Sequence, residues 1–503
     1  MIPAALRPDT MPLRRTTDLF WLLLFLCAVA AQVFFALMAL YHGVKIDFEG
    51  GSFDEVLQNV TVHDGWLSRA KDAVTNWVEL RPENLRLESQ GIAVALGTSA
   101  VSSGAFLLLL AYFPVHLVVN VVAIGGPLSL LAIGGLAISG SPVAQLLGVE
   151  AHFGWPLVLV GVLALIFVSF AWGYLRLGIA VLRCSAAFLR ARPSIGAYPL
   201  LFGLVHIAGL ALWGLAVLGM RSSFQDIEDL DWQSQFGTAS AMLLCFLWGN
   251  AFVTGLSTFA VAYAACHWYG RGSKDAGHGG LVAIQVGLRY HAGSLALGSL
   301  LLALVRTLNV MLWWAEKAQE EAAAAASGAA QRAVGLPVQR PAQPPSLLRS
   351  LRNFAAEVLE VVATWASKQA FVQIAMSGCP FATGAMRAGQ LALKAPAGFV
   401  MVESLSMIFQ RACEFLLIGV AVLVASSFGL EGLQGLGPVA VSAWLAAESL
   451  LHPYSVATTT ILHCCLLDKD APQEGKVPPE AVQLQRTMEE LSGTDGSFVQ
   501  HYR

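Results

Sequence analysis

The chain has 503 residues, with 30 basic and 33 acidic side chains and a formal net charge of −3. Apolar residues make up 56% of it and charged residues 13%, and the mean hydropathy is +0.63. A soluble protein cannot bury that much apolar surface, and a chain without a basic excess does not bind nucleic acid through its phosphates. The composition therefore predicts a polytopic protein whose partner is the lipid bilayer.

Long apolar runs predict helices that cross this bilayer. A crossing needs about 20 apolar residues, and nine segments provide them: 19–41, 92–112, 116–139, 156–175, 198–219, 240–264, 292–314, 404–428 and 438–466. The first run is too long for a signal-peptide core, so we interpret it as a retained span. Lys368, Arg387 and Lys394 interrupt a tenth segment within 354–395, which is either a weak span or a re-entrant hairpin.

We therefore predict an all-α membrane protein of about ten transmembrane helices, with short amphipathic or re-entrant helices. Residues 1–18 form the N-terminal segment, 19–466 the transmembrane domain and 467–503 a polar tail. Residues 316–352 contain a linker rich in alanine and then proline. The spacing of Arg176, Arg183 and Arg190 among apolar residues predicts an amphipathic helix or a solvated continuation of the fourth span.

Charge bias predicts the orientation. Arginines before the first span place the N-terminus in the cytoplasm, and the polar tail is also cytoplasmic. The loop 42–90, with nine acidic and five basic residues, then lies outside, where Asn59-Val60-Thr61 is an acceptor for glycosylation. Counting places the segment 316–352 outside although it has five bases and three acids. Either the tenth segment is a re-entrant hairpin or the charge rule fails in this loop.

Motifs of enzyme chemistry are missing from the sequence. The eleven histidines are scattered, the eight cysteines lack paired zinc or haem spacing, and no acid or histidine cluster suits a metal or a nucleophile. We therefore expect no enzyme activity, no metal and no cofactor.

A block of small residues at 292–299 predicts close helix packing. Six of its eight residues are Gly, Ala or Ser, and small side chains let helix backbones approach each other in a membrane. The residues that we expect at helix contacts are Gly293, Ser294, Gly298 and Ser299.

The same block supplies a family resemblance. Residues 289–300 read RYHAGSLALGSL, which resembles the signature of the choline transporter-like family of solute carriers. Residues 176–180, 246–250, 370–388 and 460–468 resemble further family motifs in the same order. The resemblance implies ten spans, cytoplasmic termini, a glycosylated outer loop and transport of choline or related amines, with the plasma membrane as location.

Three positions depart from the family pattern. The first outer loop is short and lacks cysteine, the second Trp of the sixth-span motif is Gly249, and an acid of the last span falls at Thr459. These departures weaken the prediction of choline as the particular substrate, but they do not weaken the resemblance to the family.

A quaternary ammonium substrate has no N–H to donate, so it is recognised by aromatic faces and by negative charge. Candidates for substrate binding are Trp172, Trp248, Asn250, Tyr263, Tyr290 and Glu403. Trp248 is the strongest of the rings because it lies in mid-span and in the family motif at 246–250, although packing within the bundle is the more common role of any single ring. Glu403 is an acid within a span and falls where the family often has one. It balances the substrate's charge, accepts a proton during exchange, or forms a structural ion pair with Lys394 or Arg411.

The sequence therefore favours a secondary carrier for choline or a related small organic cation, working by alternating access. Two alternatives stay open: a non-transporting scaffold or scramblase-like protein with the same fold, and a membrane-embedded enzyme of lipid metabolism. The sequence does not predict the coupling ion or the oligomeric state.

Overall fold

The computed structural model describes residues 16–41, 124–141, 151–170, 172–225, 232–271, 280–333, 347–394, 396–427, 432–470 and 478–494. Within these ranges the regular structure is helical, without a β-strand. The predicted span 92–112, the loop 42–90 and its Asn59 lie outside the described residues.

Thirteen α-helices make up the described part of the chain. In order they are α1 Leu19–Tyr41, α2 Gly126–Ile138, α3 Gly154–Phe170, α4 Trp172–Ala191, α5 Tyr198–Gln225, α6 Trp232–Arg271, α7 Gly280–Val286, α8 Ala292–Ala333, α9 Leu347–Ser377, α10 Phe381–Lys394, α11 Pro396–Ser427, α12 Gly432–Asp470 and α13 Pro479–Thr494. A π-helical turn, Gly287–His291, joins α7 to α8.

Seven segments of the described residues are long and apolar enough to cross a membrane. They are Leu19–Met38, Trp172–Ala191, Pro193–Met220, Gly237–Gly270, Gly280–Lys317, Gly398–Ser427 and Val439–Asp468. Helices α2 and α3 are apolar but shorter. These helices confirm the predicted class, an all-α polytopic membrane protein.

The fourth predicted span, 156–175, has different bounds in the structure. Helix α3 ends at Phe170 and α4 begins at Trp172, inside the predicted span. Helix α4 carries the three arginines of the predicted amphipathic helix, and its opposite face is fully buried at Val181, Cys184 and Phe188. The position of α4 in the bundle therefore depends on the burial of this face as well as on the length of its apolar run.

Helix α6 lies at the centre of the bundle, in contact with α1, α5, α8, α9 and α12. Its side chains Phe259, Ala260 and Ala262 are completely buried. Small residues on α6 and α8 let these helices approach closely, which is how membrane helices gain packing contacts when lipid is as apolar as the core.

The tenth predicted segment, 354–395, is two helices folded back on each other. Helix α9 ends at Ser377, and Gly378 follows with φ +66°, a left-handed conformation that glycine adopts without strain. Helix α10 then packs against the end of α9: a Cβ on Gly384 would lie 3.1 Å from the carbonyl oxygen of Ala370.

Part of the polar tail is also helical. Helix α13 packs against α4 and α12, with the side chains of Ala481, Leu484 and Met488 buried. The tail therefore contributes to the core on the side of the bundle where α4 and α12 meet.

Candidate functional site

Helix α12 carries the main row of polar side chains inside the bundle. The hydroxyl of Tyr454 donates to the carbonyl oxygen of Leu182 at 2.9 Å, and the hydroxyl of Thr458 lies 3.1 Å from that of Ser185. On the side facing α6, Thr258 Oγ1 lies 3.2 Å from Nε2 of His452. Polar groups within a membrane bundle are costly unless they are bonded, so such a row marks a candidate functional site.

Glu403 lies in this polar region, between α9, α11 and α12. The hydroxyl of Thr459 donates to Glu403 Oε1 at 2.6 Å, and the amide nitrogen of Gln369 donates to the same oxygen at 3.2 Å. The ammonium of Lys368 lies 3.5 Å from Glu403 Oε2 and donates to Ser455 Oγ at 3.1 Å. The carboxylate is thus held by one cation and two neutral donors.

This ion pair is almost enclosed by protein. The side chains of Lys368 and Glu403 are 21% and 14% exposed. In such surroundings the attraction between opposite charges is far stronger than in water. Removing either partner leaves an uncompensated charge in the bundle.

The alternative in which Arg411 pairs with Glu403 is wrong. Arg411 Nη1 lies 2.5 Å from Oε2 of Glu414, which follows it by one turn of α11. Gln410 donates to the other oxygen of Glu414 at 2.9 Å. The second acid of this helix therefore has partners of its own.

One helical turn from Glu403's partners lies a second polar layer. The amide nitrogen of Gln373 donates to His463 Nδ1 at 3.0 Å, and the ring of Phe399 packs on that of His463 with centroids 5.5 Å apart. Trp365 meets Phe399 edge to face at 6.1 Å. Aromatic side chains thus lie on α11, which carries Glu403, and on α9, which carries Lys368 and Gln369.

Two buried polar atoms in these layers have no hydrogen-bond partner among the described residues. They are Oε1 of Gln369 and Nε2 of His463, on side chains that are 1% and 0% exposed. Buried polar groups are nearly always bonded, so both atoms are available to a ligand.

Trp248, the strongest ring among the sequence candidates, has partners on other helices. Its indole N–H donates to the carbonyl oxygen of Ala296 on α8 at 2.9 Å. Its ring meets Phe25 of α1 edge to face at 5.3 Å and is 4% exposed. These contacts join Trp248 to α1 and α8, whereas Glu403 is joined to α9 and α12.

The other sequence candidates for substrate binding also have separate partners. Asn250 hydrogen-bonds to His206 of α5, and Tyr263 packs on His267 one turn along α6, with ring centroids 4.4 Å apart. The carbonyl oxygen of Tyr290 accepts from the N–H of Thr17. Trp172 packs against the buried cluster that includes Leu175, Leu182, Phe409 and Tyr454. The contacts therefore do not bring the six candidates into one group.

The small-residue block lies at close helix contacts. A Cβ on Gly293 would overlap the carbonyl oxygens of Thr17 and Asp18, and one on Gly298 would lie 2.6 Å from Phe371 Cε1. Ser294 donates to Asp18 Oδ2 at 2.6 Å. Ser299 is 1% exposed, and its hydroxyl has no bonded partner among the described residues.

Sequence reasoning missed Lys368, Gln369 and His463 as members of the site around Glu403. Lys368 had a visible signal, since a lysine within a weak span needs a partner in the bundle. His463 lies in a motif, 460–468, that was used only for resemblance. Within the described ranges, no group of three or more His, Cys, Asp or Glu residues is arranged to hold a metal ion.

Known proteins resemble part of this chain. It is 26% identical over 240 residues to choline transporter-like protein 2 of Danio rerio, covering 44% of this chain and 32% of that protein. It is 25% identical over 186 residues to choline transporter-like protein 1 of Caenorhabditis briggsae, covering 30% and 23%. The matched regions thus span about a third or less of these relatives.

A family profile, described as plasma-membrane choline transporter, matches residues 156–470. These residues include α4 to α12 and every side chain of the Glu403 layers. The match agrees with the motifs at 176–180, 246–250, 289–300, 370–388 and 460–468. The chain therefore belongs to the plasma-membrane choline transporter family.

Proposed function

We propose that this protein is a secondary carrier that moves choline or a closely related small organic cation across the plasma membrane by alternating access. The observation that carries the proposal is the enclosed carboxylate of Glu403, held between three helices of a transporter family. Burying an acidic side chain inside a membrane bundle costs free energy, so such a side chain is typical of a site that binds a cation. We further propose that both termini are cytoplasmic and that Asn59 is glycosylated outside.

Glu403 falls where the family pattern often carries an acid, near the start of the penultimate span, whereas the acid of the last span is replaced by Thr459. The hydroxyl of Thr459 donates to Glu403 Oε1. At this contact between α11 and α12 the negative charge therefore lies on α11. The departure from the family pattern at Thr459 is thus compatible with a cation substrate.

Lys368 acts as an internal cation in this proposal. Its ammonium neutralises Glu403 while no substrate is bound, at 3.5 Å. A quaternary ammonium cannot donate a hydrogen bond, so it replaces the lysine by charge and by contact with aromatic faces. Phe399 and Trp365 are such rings on the same helices. Return of Lys368 to Glu403 then favours release of the substrate.

Trp248 stays a candidate for a further wall of the cation site. An indole ring attracts cations more strongly than the rings of Tyr and Phe, and Trp248 lies in the central helix α6. Its present contacts with Phe25 and Ala296 make it a packing residue as well. Substitution of Trp248 by Phe separates the two roles.

Uptake of radiolabelled choline into proteoliposomes tests the proposal. The wild-type protein should show saturable uptake, and Glu403→Gln, which keeps the shape and removes the charge, should reduce it at least tenfold. Glu414→Gln is the matched control, because Glu414 is a buried acid of the same helix with Arg411 as its own partner. Absence of saturable uptake at every pH would favour the scaffold or scramblase-like alternative.

A further inference from the structure

The two polar atoms without partners near Glu403 have opposite hydrogen-bonding character. The amide nitrogen of Gln369 faces Glu403 Oε1, because a carboxylate only accepts, and this leaves the amide oxygen Oε1 as an acceptor. The amide nitrogen of Gln373 donates to His463 Nδ1, so the ring proton of His463 resides on Nε2, which is a donor. The hydrogen bonds with Glu403 and Gln373 thus make Gln369 Oε1 an acceptor and His463 Nε2 a donor.

Helix geometry places these atoms in adjacent layers. Gln369 and Gln373 are four residues apart on α9, as Thr459 and His463 are on α12. Residues at this spacing stack on one helix face, about 5–6 Å apart. The first layer joins Gln369, Glu403 and Thr459, and the second joins Gln373 and His463. The donor on His463 is therefore one helical turn from the carboxylate.

A hydroxyl group carries the donor and the acceptor that these two atoms require. A hydroxyl donates one hydrogen bond and accepts others, so it can donate to Gln369 Oε1 and accept from His463 Nε2–H. A carboxylate cannot donate to Gln369 and would be repelled by Glu403. An alkyl group would leave both atoms buried without partners, which is unfavourable.

We propose that Gln369 and His463 form a subsite for the hydroxyl group of the transported cation, beside the charge of Glu403. This inference rests on the proposed function and narrows the substrate to cationic amino alcohols, such as choline. Glu403 attracts the cationic nitrogen, while the hydroxyl on the two-carbon arm reaches the next layer. Gln373 is a positioning residue, because it fixes the tautomer of His463.

The test compares choline with propyltrimethylammonium, in which a methyl group replaces the hydroxyl. Binding of each is measured by calorimetry on the purified full-length protein in lipid nanodiscs. The wild-type protein should bind choline at least tenfold more tightly, because a site built for a hydroxyl rejects an analogue that leaves its polar atoms unpaired. In His463→Phe and Gln369→Met the ratio of the two affinities should fall towards one.

His452→Phe is the matched control. His452 lies on the same helix but is bonded to Thr258, so this variant should keep the wild-type ratio. The ratio of the two affinities is compared only among variants that elute and melt as folded protein. The comparison of the two cations on the wild-type protein does not depend on any variant.

The outcomes separate the subsite from the transport proposal. Equal affinity of the wild-type protein for both cations overturns the subsite alone, since Glu403 would still bind cations. A folded His463→Phe or Gln369→Met protein that keeps the tenfold ratio overturns the assignment of that residue. Absence of binding by either cation overturns the proposed function, and the subsite with it.

Discussion

Oδ2 of Asp18 accepts a hydrogen bond of 3.2 Å from the backbone N–H of Phe381, the first residue of α10. The two residues are 363 positions apart in the chain. The same carboxylate oxygen accepts from the hydroxyl of Ser294 at 2.6 Å, at the start of α8. Asp18 thus caps one helix, bonds to a second and precedes a third, α1, in the chain.

Loss of this carboxylate should loosen the packing of α1, α8 and α10. Asp18→Ala leaves the N–H of Phe381 and the hydroxyl of Ser294 without their acceptor, which should cost about 1–3 kcal/mol of stability. Asp18→Asn keeps an acceptor and tolerates the left-handed backbone at this position, where φ is +55°. Thermal unfolding in detergent should therefore rank wild type above Asn and Asn above Ala; equal melting of all three would contradict the cap.

Gly298 should not tolerate a side chain. A Cβ there would meet Phe371 and Phe381, so Gly298→Leu should overpack the bundle by about 1–3 kcal/mol and lower the yield of folded protein. Gly249→Ala is the control, since a Cβ on Gly249 would have no atom of a neighbouring helix within 4 Å. A Gly298→Leu protein as stable as wild type would place this face of α8 towards lipid.

Helix α13 should stabilise the bundle through its buried face. Leu484 is 0% exposed, so Leu484→Ala should lower the free energy of unfolding by about 2–5 kcal/mol. Gln483→Ala alters the exposed face of the same helix and should have little effect. Chemical denaturation monitored by tryptophan fluorescence measures both. An unchanged Leu484→Ala protein would show that the tail does not contribute to the stability of the core.

Six of the predicted spans, 19–41, 198–219, 240–264, 292–314, 404–428 and 438–466, match long apolar helices of the structure. They were predictable because an apolar run of about 20 residues is a local property. The small-residue block was predictable for a similar reason, since Gly293 and Gly298 lie one and a half turns apart on a single helix. The partner of Glu403 was not predictable. Lys368 lies on α9, whereas Glu403 lies on α11. The distance between them depends on how these two helices are rotated about their axes, and the charge pattern of either helix does not predict that rotation.

The same reasoning explains the aromatic candidates. The sequence predicted Trp248 and Tyr263, both on α6, as rings that bind the substrate. The structure shows a partner for the indole N–H on α8 and a ring partner on α1, and α1 is more than 200 residues away in the chain. A helical stripe of rings predicts a buried face, but it does not distinguish a ligand from a neighbouring helix.

Trp248→Phe separates the two roles of this ring. Loss of the bond to Ala296 should lower stability by about 1 kcal/mol, and a Phe in the cation site should weaken choline binding severalfold because its face attracts cations less. Trp268→Phe is the control, since Trp268 is similarly buried and packs on Phe188. Lower stability with wild-type affinity would assign Trp248 to packing alone.

The ion pair between Lys368 and Glu403 should stabilise the protein whether or not it takes part in transport. Lys368→Gln leaves the carboxylate of Glu403 without its cation, which should destabilise the protein by about 3–5 kcal/mol. Removing both charges, in Lys368→Gln with Glu403→Gln, should recover most of this loss.

Choline should then raise the melting temperature of Lys368→Gln more than that of wild type, because the substrate no longer competes with a lysine for Glu403 and binding stabilises the folded state. Transport should nevertheless fall, since no internal cation promotes release. The double variant, which lacks the carboxylate, should show no such shift with choline. An equal shift in wild type and Lys368→Gln would show that substrate and lysine do not share Glu403, and the ion pair would then be structural.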